Sequence, residues 1–283
     1  MLTSVNSKYA ILLKAKQQCS QMNKSIYLLI FTSLALCLSL GWNCTSEKIT
    51  REEFFFYAVD STKLEGKLCI PSSNEKLPPL VILLHMFSHS SKDWEGLVPL
   101  LTDKGYAVLN LDLRGHGKST KRGEKTITYL NPEEVNLRLL PLDVNSALDA
   151  LKSYMGRVDL ERVGIIGASI GANAGLIAAV GNPKIKTMVL ISPGLNYQDL
   201  MTENAAGRLK EVSVLLISNR EDSYSLSSCQ RLYSAMQLSK KEVKLVQGRE
   251  HGNELLLKMP ELNKQIANWI TENLPARGPE QIE

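Results

Sequence analysis

Residues 163–172 form a short apolar stretch that reaches Gly167-Ala168-Ser169-Ile170-Gly171 and then continues into small helix-forming residues. No other stretch of the chain constrains its fold so tightly. A strand that turns into a helix about one residue strains that residue, and the crossing backbones leave room only for hydrogen at 167 and 171. The pattern predicts Ser169 at the apex with its hydroxyl exposed, a candidate nucleophile. A tight turn carrying an incidental hydroxyl accounts less well for two flanking glycines.

The first 43 residues hold Lys8, Lys14, Lys16 and Lys24 and no acidic residue, so they carry the whole formal charge of +4, and the chain from Cys44 onward is neutral. A neutral body without basic blocks offers no electrostatic footprint for nucleic acid, which excludes that class of partner. Ile26 to Trp42 is a 17-residue apolar stretch preceded by Lys24, the layout of an export signal. It is also at the lower edge of a membrane span, so an uncleaved anchor is the alternative. A start at Met22 would give a compact signal and make residues 1–21 a mis-assigned beginning. The run Leu38-Ser39-Leu40-Gly41-Trp42-Asn43-Cys44 resembles a loose bacterial lipoprotein processing site, with Cys44 as the lipidated residue and Trp42 and Asn43 as departures from it. These readings imply an exported protein of a bacterial envelope, either a membrane-anchored lipoprotein or extracytoplasmic. Only Cys69 and Cys229 would then remain, too few for a disulfide scaffold; they are expected as buried thiols.

The division expected is a leader over 1–43, a tether over 44–52, one domain over 53–275 and a tail over 276–283. Two β-rich runs, Phe54 to Val59 and Leu64 to Ile70, precede an alternation of strands and helices. Strands are expected at Leu80 to Leu84, Tyr106 to Leu111, Arg162 to Ile166, Lys186 to Ile191, Val212 to Ser218 and Glu242 to Val246. Helices are expected around Trp94 to Leu101, Pro132 to Met155, Ile170 to Val180, Leu226 to Met236 and Pro260 to Asn273. Near-continuous Val/Ile/Leu strands alternating with helices imply an α/β fold whose mostly parallel sheet is covered on both faces, with reactive residues at the C-terminal strand ends.

The order of elements, the serine turn and the loop motifs together resemble the α/β-hydrolase superfamily, over essentially all of residues 53 to 275. The chain is most similar to compact esterase-like and dienelactone-hydrolase-like members, since about 20 residues separate the strand ending near Ser192 from the one beginning near Val212, too few for a large cap domain. The resemblance implies a serine, then an acid, then a histidine along the chain. Asp222, just past a strand end, is the acid it points to, with Glu221 and Asp199 as rivals. His251 in Gly248-Arg249-Glu250-His251-Gly252 is the only histidine after it and the expected base. Oxyanion donors are implied at the N–H groups of Ile170 and, in the loop His85-Met86-Phe87-Ser88-His89, of Phe87. Met86 stands where relatives carry glycine, which leaves the second donor open between Phe87 and Met86.

His85 and His89 lack the glutamate and the helix face of a zinc motif, so no metal site is expected, and His85 is read as a brace for its loop. Asp112-Leu113-Arg114-Gly115-His116-Gly117-Lys118-Ser119 contains Gly-Lys-Ser but lacks the earlier glycine of a phosphate loop; it is read as a structural turn near the mouth of the site. What the resemblance implies is a cofactor-independent serine hydrolase acting on a small-molecule carboxylic ester through Ser169, His251 and Asp222. Thioester, lactone, amide or peptide cleavage would use the same residues, and a non-catalytic binding module on the same fold is the alternative of a different class. Loops 86–94, 118–132 and 193–210 are expected to shape the pocket, with Tyr129, Leu130, Leu195, Tyr197 and Met201 either as a partly apolar lining or as packing.

Overall fold

The computed structural model describes residues 49–72, 76–131 and 133–276. The leader, Cys44 and residues 277–283 lie outside the described residues. Among the described residues no helix is long and apolar enough to cross a membrane.

Two long strands, β1 (Ile49–Tyr57) and β2 (Thr62–Pro71), form an antiparallel hairpin in which Ile49 pairs with Pro71 and Tyr57 with Lys63. Ile49 to Glu52, expected in a tether, are therefore paired strand residues: β2 is long enough to give them partners from Leu68 to Pro71. β3 (Pro79–Leu84), β4 (Ala107–Leu111), β7 (Asp159–Ala168), β8 (Ile185–Ile191), β11 (Ser213–Asn219) and β12 (Lys241–Val246) follow, all mutually parallel where they pair. Two-residue strands β5 (Lys121–Arg122) and β6 (Lys125–Thr126) extend the edge, giving the order β12-β11-β8-β7-β3-β4-β2-β5-β6, with β1 on β2.

Period-two alternation divides the central strands between two apolar layers. Leu80, Ile82 and Leu84 of β3, with Val163 and Ile165 of β7, face helices α2 (Leu140–Ala150), α3 (Ile170–Ala179) and α5 (Ser223–Ala235). Val81, Leu83, Ile166 and Ala168 face α1 (Val98–Asp103), α6 (Glu254–Lys258) and α7 (Glu261–Asn273). Because both faces are covered, the strand residues are apolar in both directions, and no alternation shows in the sequence.

Two expected helices are shorter than their apolar patterns, and a proline sets each start. Pro99 and Pro141 lack an N–H and clash with the preceding turn inside a helix, so each is tolerated only in the first turn. α1 accordingly begins at Val98, behind a 3-10 turn at Ser91–Trp94, and α2 at Leu140, behind another at Leu137–Leu139. Between β8 and β11 there is no cap domain: a hairpin of β9 (Asn196–Tyr197) and β10 (Leu200–Met201) and the short α4 (Glu203–Gly207) fill the connection.

Candidate active site

Ser169 lies between the end of β7 and the first residue of α3, with φ 51° and ψ −117°. Its N–H donates to the Ile191 carbonyl at 2.8 Å, pinning the turn to the neighbouring strand. A Cβ on Gly167 would come 2.6 Å from the Gly171 carbonyl oxygen, and one on Gly171 would collide with the Leu84 carbonyl oxygen. The two glycines are thus demanded by backbone crossing on either side of the serine. The expectation of an exposed hydroxyl is corrected: Ser169 is 6% exposed. His251 and the hydroxyl of Tyr197 both reach it.

Asp222 caps the N-terminus of α5, its Oδ1 accepting from Ser225 N–H at 3.1 Å. His251 follows β12 in a loop where Gly248 and Gly252 have φ of 116° and 57°. The imidazole joins the other two side chains: Nε2 is 2.8 Å from Ser169 Oγ and Nδ1 is 2.6 Å from Asp222 Oδ2. Burial works against ionisation of Asp222, but the bonds from His251 and Ser225 outweigh it and hold the carboxyl below its ordinary range. An acceptor at Nδ1 leaves Nε2 of the neutral ring free to accept from the serine hydroxyl.

Both rival acids lie elsewhere. Glu221 is an exposed loop residue. Asp199, in the tight turn between β9 and β10, forms an exposed ion pair with Arg138 at 2.6 Å. Neither competes for the imidazole.

In the loop after β3, Met86 N–H donates to Asn253 Oδ1 at 3.0 Å, Ser88 N–H to His116 Nε2 at 3.1 Å and His89 N–H to the Met86 carbonyl at 3.3 Å. Among the described residues none accepts from Phe87 N–H. Of the two amides left open, Met86 N–H is thus engaged by Asn253 and Phe87 N–H is not engaged among the described residues. Ile170 N–H opens α3, where the first amides have no intrahelical acceptor and the helix dipole favours negative charge. The side chain of Met86 turns away toward Gly252, where an added Cβ would come 2.6 Å from its Sδ.

His85 braces this loop as expected: Nδ1 donates to the Met86 carbonyl at 2.7 Å and Nε2 accepts from Leu113 N–H at 2.9 Å. Full burial pushes its pKa down to about 3, and the adjacent His116 is lowered by burial as well. His89 pairs with Asp93 at 2.6 Å. In the turn after β4, Asp112 accepts from Ser91 N–H and Lys118 N–H, and a Cβ at Gly117 would strike its carboxylate. That turn is folded around its own aspartate.

Of the expected pocket lining, Tyr129 stacks on His116 with centroids 4.5 Å apart and meets Phe87 edge-on at 5.3 Å. Tyr197 lies edge-on to His251 at 6.0 Å. Leu195 is half-buried against the core. Leu130 and Met201 are 76% and 69% exposed, so neither is a packing residue. Phe87, Tyr129 and His116 thus form one aromatic cluster, and Tyr197 with His251 and Tyr224 another.

Several supporting residues were not singled out in the sequence. Asn173 of α3 donates to the Leu200 carbonyl and accepts from Gly194 N–H, tying the Tyr197 hairpin to the serine helix. Ser192 Oγ accepts from Gly252 N–H at 3.0 Å, beside His251. No sequence spacing announces these contacts. A polar residue ending an apolar strand, as in Ser192 and Asn219, is the one signal available.

The sequence profile of the α/β hydrolase fold family matches residues 79–278, and the chain belongs to that family. Among solved structures it is similar to an esterase from Pyrococcus furiosus, with TM-score 0.63 and 18% identity over 83% of this chain and 95% of that one. A cold-adapted esterase from an Arctic intertidal metagenomic library superposes with TM-score 0.66 and 19% identity over 83% of this chain and 100% of that one. A dienelactone hydrolase from Anabaena variabilis gives TM-score 0.62 and 20% identity, covering 81% and 100%. At such identities these likenesses concern the fold. Epoxide hydrolase B of Mycobacterium tuberculosis is 46% identical over 43 residues, and the match spans only 12% of that protein and 15% of this chain.

Proposed function

We propose that this protein is a serine hydrolase that cleaves carboxylic esters through an acyl-enzyme. The observation that carries the reading is the unbroken line from Ser169 Oγ through both nitrogens of His251 to Asp222, at 2.8 and 2.6 Å. That the solved neighbours include esterases agrees with it.

In this reading His251 Nε2 takes the Ser169 proton as Oγ bonds to the ester carbonyl carbon. The carbonyl oxygen becomes an oxyanion facing the N–H groups of Ile170 and Phe87. Collapse breaks the bond to the leaving alkoxide, which takes the proton from the imidazolium and departs as alcohol. Water then gives a proton to His251 and attacks the acyl carbon, and the proton returns to Ser169 as the acid leaves. Asp222 keeps its charge throughout and holds the imidazole tautomer. Every proton is accounted for by these side chains and water.

Ester is preferred over amide cleavage as the simplest demand on this site, and thioesters or lactones would use the same steps. With a chromogenic short-chain ester, the wild-type protein should give an initial burst of alcohol followed by turnover. Ser169→Ala should lower kcat by at least about 10³-fold while retaining the folded circular dichroism spectrum. Turnover retained in that variant removes the assignment.

A further inference from the structure

The proposed acid and base sit on different loops, one after β11 and one after β12, and a single buried side chain joins them. Asn219, the last residue of β11, is fully buried. Its Oδ1 accepts from the N–H groups of Glu221 at 3.0 Å and Asp222 at 2.6 Å. Its Nδ2 donates to the carbonyl of Glu250, the residue before His251. We propose that Asn219 is a positioning residue that sets the spacing of the Asp222 carboxylate and the His251 imidazole, an inference that rests on the triad reading above.

A side-chain amide suits this place because it presents an acceptor and a donor from one rigid plane. The acid loop needs an acceptor for two backbone N–H groups, and the base loop needs a donor for one carbonyl. A carboxylate would satisfy the first and repel the second; an alkyl group would remove the side-chain partner of all three, leaving Glu221 N–H only its longer contact to the Gly248 carbonyl.

The base loop has particular need of such a tie. Gly248 and Gly252, both with positive φ, lie on either side of His251, so its backbone is bounded by the two residues least restricted in conformation. Other direct ties in this region are the longer contact from Glu221 N–H to the Gly248 carbonyl at 3.3 Å and the bond from Gly252 N–H to Ser192 Oγ. Ser225 Oγ also lies 3.5 Å from Nδ1. Asn219 is thus the shared polar link between the backbone of Asp222 and the backbone leading to His251.

The test is kinetic and spectroscopic on the full chain. Asn219→Ala should lower kcat on a chromogenic ester by about 100-fold, the effect of misplacing a reacting group by an ångström, with KM changed less than about threefold. The downfield proton resonance of the His251 Nδ1–H to Asp222 bond should move upfield or broaden. In an Asp222→Ala background, the same substitution should cost less than about threefold further, because the spacing it sets no longer has an acid to place. Asn219→Asp, which keeps the acceptor for both N–H groups and loses the donor to Glu250, serves the same comparison if the alanine variant does not fold. Unchanged kcat, an unmoved imidazole proton, or equal losses in both backgrounds would overturn the proposal. The proton resonance reports the link independently of turnover, so failure of the ester reading and failure of this one remain separable.

Discussion

Gly171 carries the tightest backbone demand among the described glycines, since any Cβ there must displace the carbonyl oxygens of both Leu84 and His85. Gly171→Ala should therefore cost about 1–3 kcal/mol by overpacking and shift the turn that holds Ser169. Urea unfolding and ester turnover measured on the same variant check both effects; wild-type values for both would contradict the crossing. At this scale the serine and its glycines were legible because one local turn imposes them. Asp222 and His251 were legible because the family resemblance supplied an order along the chain. Met86 was not: a side chain in place of glycine raises a steric question that only its neighbours answer, and here Gly252 and Asn253 take up the thioether and the N–H. Asn219 went unread for a similar reason, since its three partners come from two loops that sequence does not bring together.

The loops after β3 and β4 are held by two imidazoles acting as acceptors, His85 toward Leu113 N–H and His116 toward Ser88 N–H. An acceptor nitrogen cannot carry a proton, and burial pushes the His85 pKa from 6.5 down to about 3. The folded-state value is depressed, so the stabilisation is complete above the unfolded value and is lost as pH falls from about 6.5 toward 3. Asp143, pushed up to about 6 by burial, works in the opposite direction, so the wild type is best compared with His85→Gln. The stability gap between the two, from urea unfolding at pH 7 and pH 5, should narrow by about 1.4 kcal/mol per pH unit below 6.5. A gap independent of pH would show that His85 takes up a proton in the folded state. Element boundaries follow the same local logic. Strands of β-branched and leucine residues were legible, whereas the helices at Val98 and Leu140 began later than their apolar patterns because Pro99 and Pro141 fit only a first turn. The two-residue strands of the small hairpins carry no periodic signal.

At the scale of the described domain, buried polar links tie segments distant in sequence. Arg114, after β4, is fully buried and bonds both carboxylate oxygens of Asp143 in α2 at 2.6 Å and Asp60 in the first hairpin turn at 2.9 Å. The parallel order β12-β11-β8-β7-β3-β4 places the loops after β3, β7, β11 and β12 at one end of the sheet, which is why residues 169, 222 and 251 meet. That convergence is the central claim, and trapping the nucleophile tests it most directly. Purified protein incubated with a fluorophosphonate and mapped by peptide mass should carry one phosphonyl group, on Ser169, and His251→Ala should slow its formation by at least about 10³-fold. A folded wild-type protein that forms no adduct, or forms it on another residue, would contradict the account.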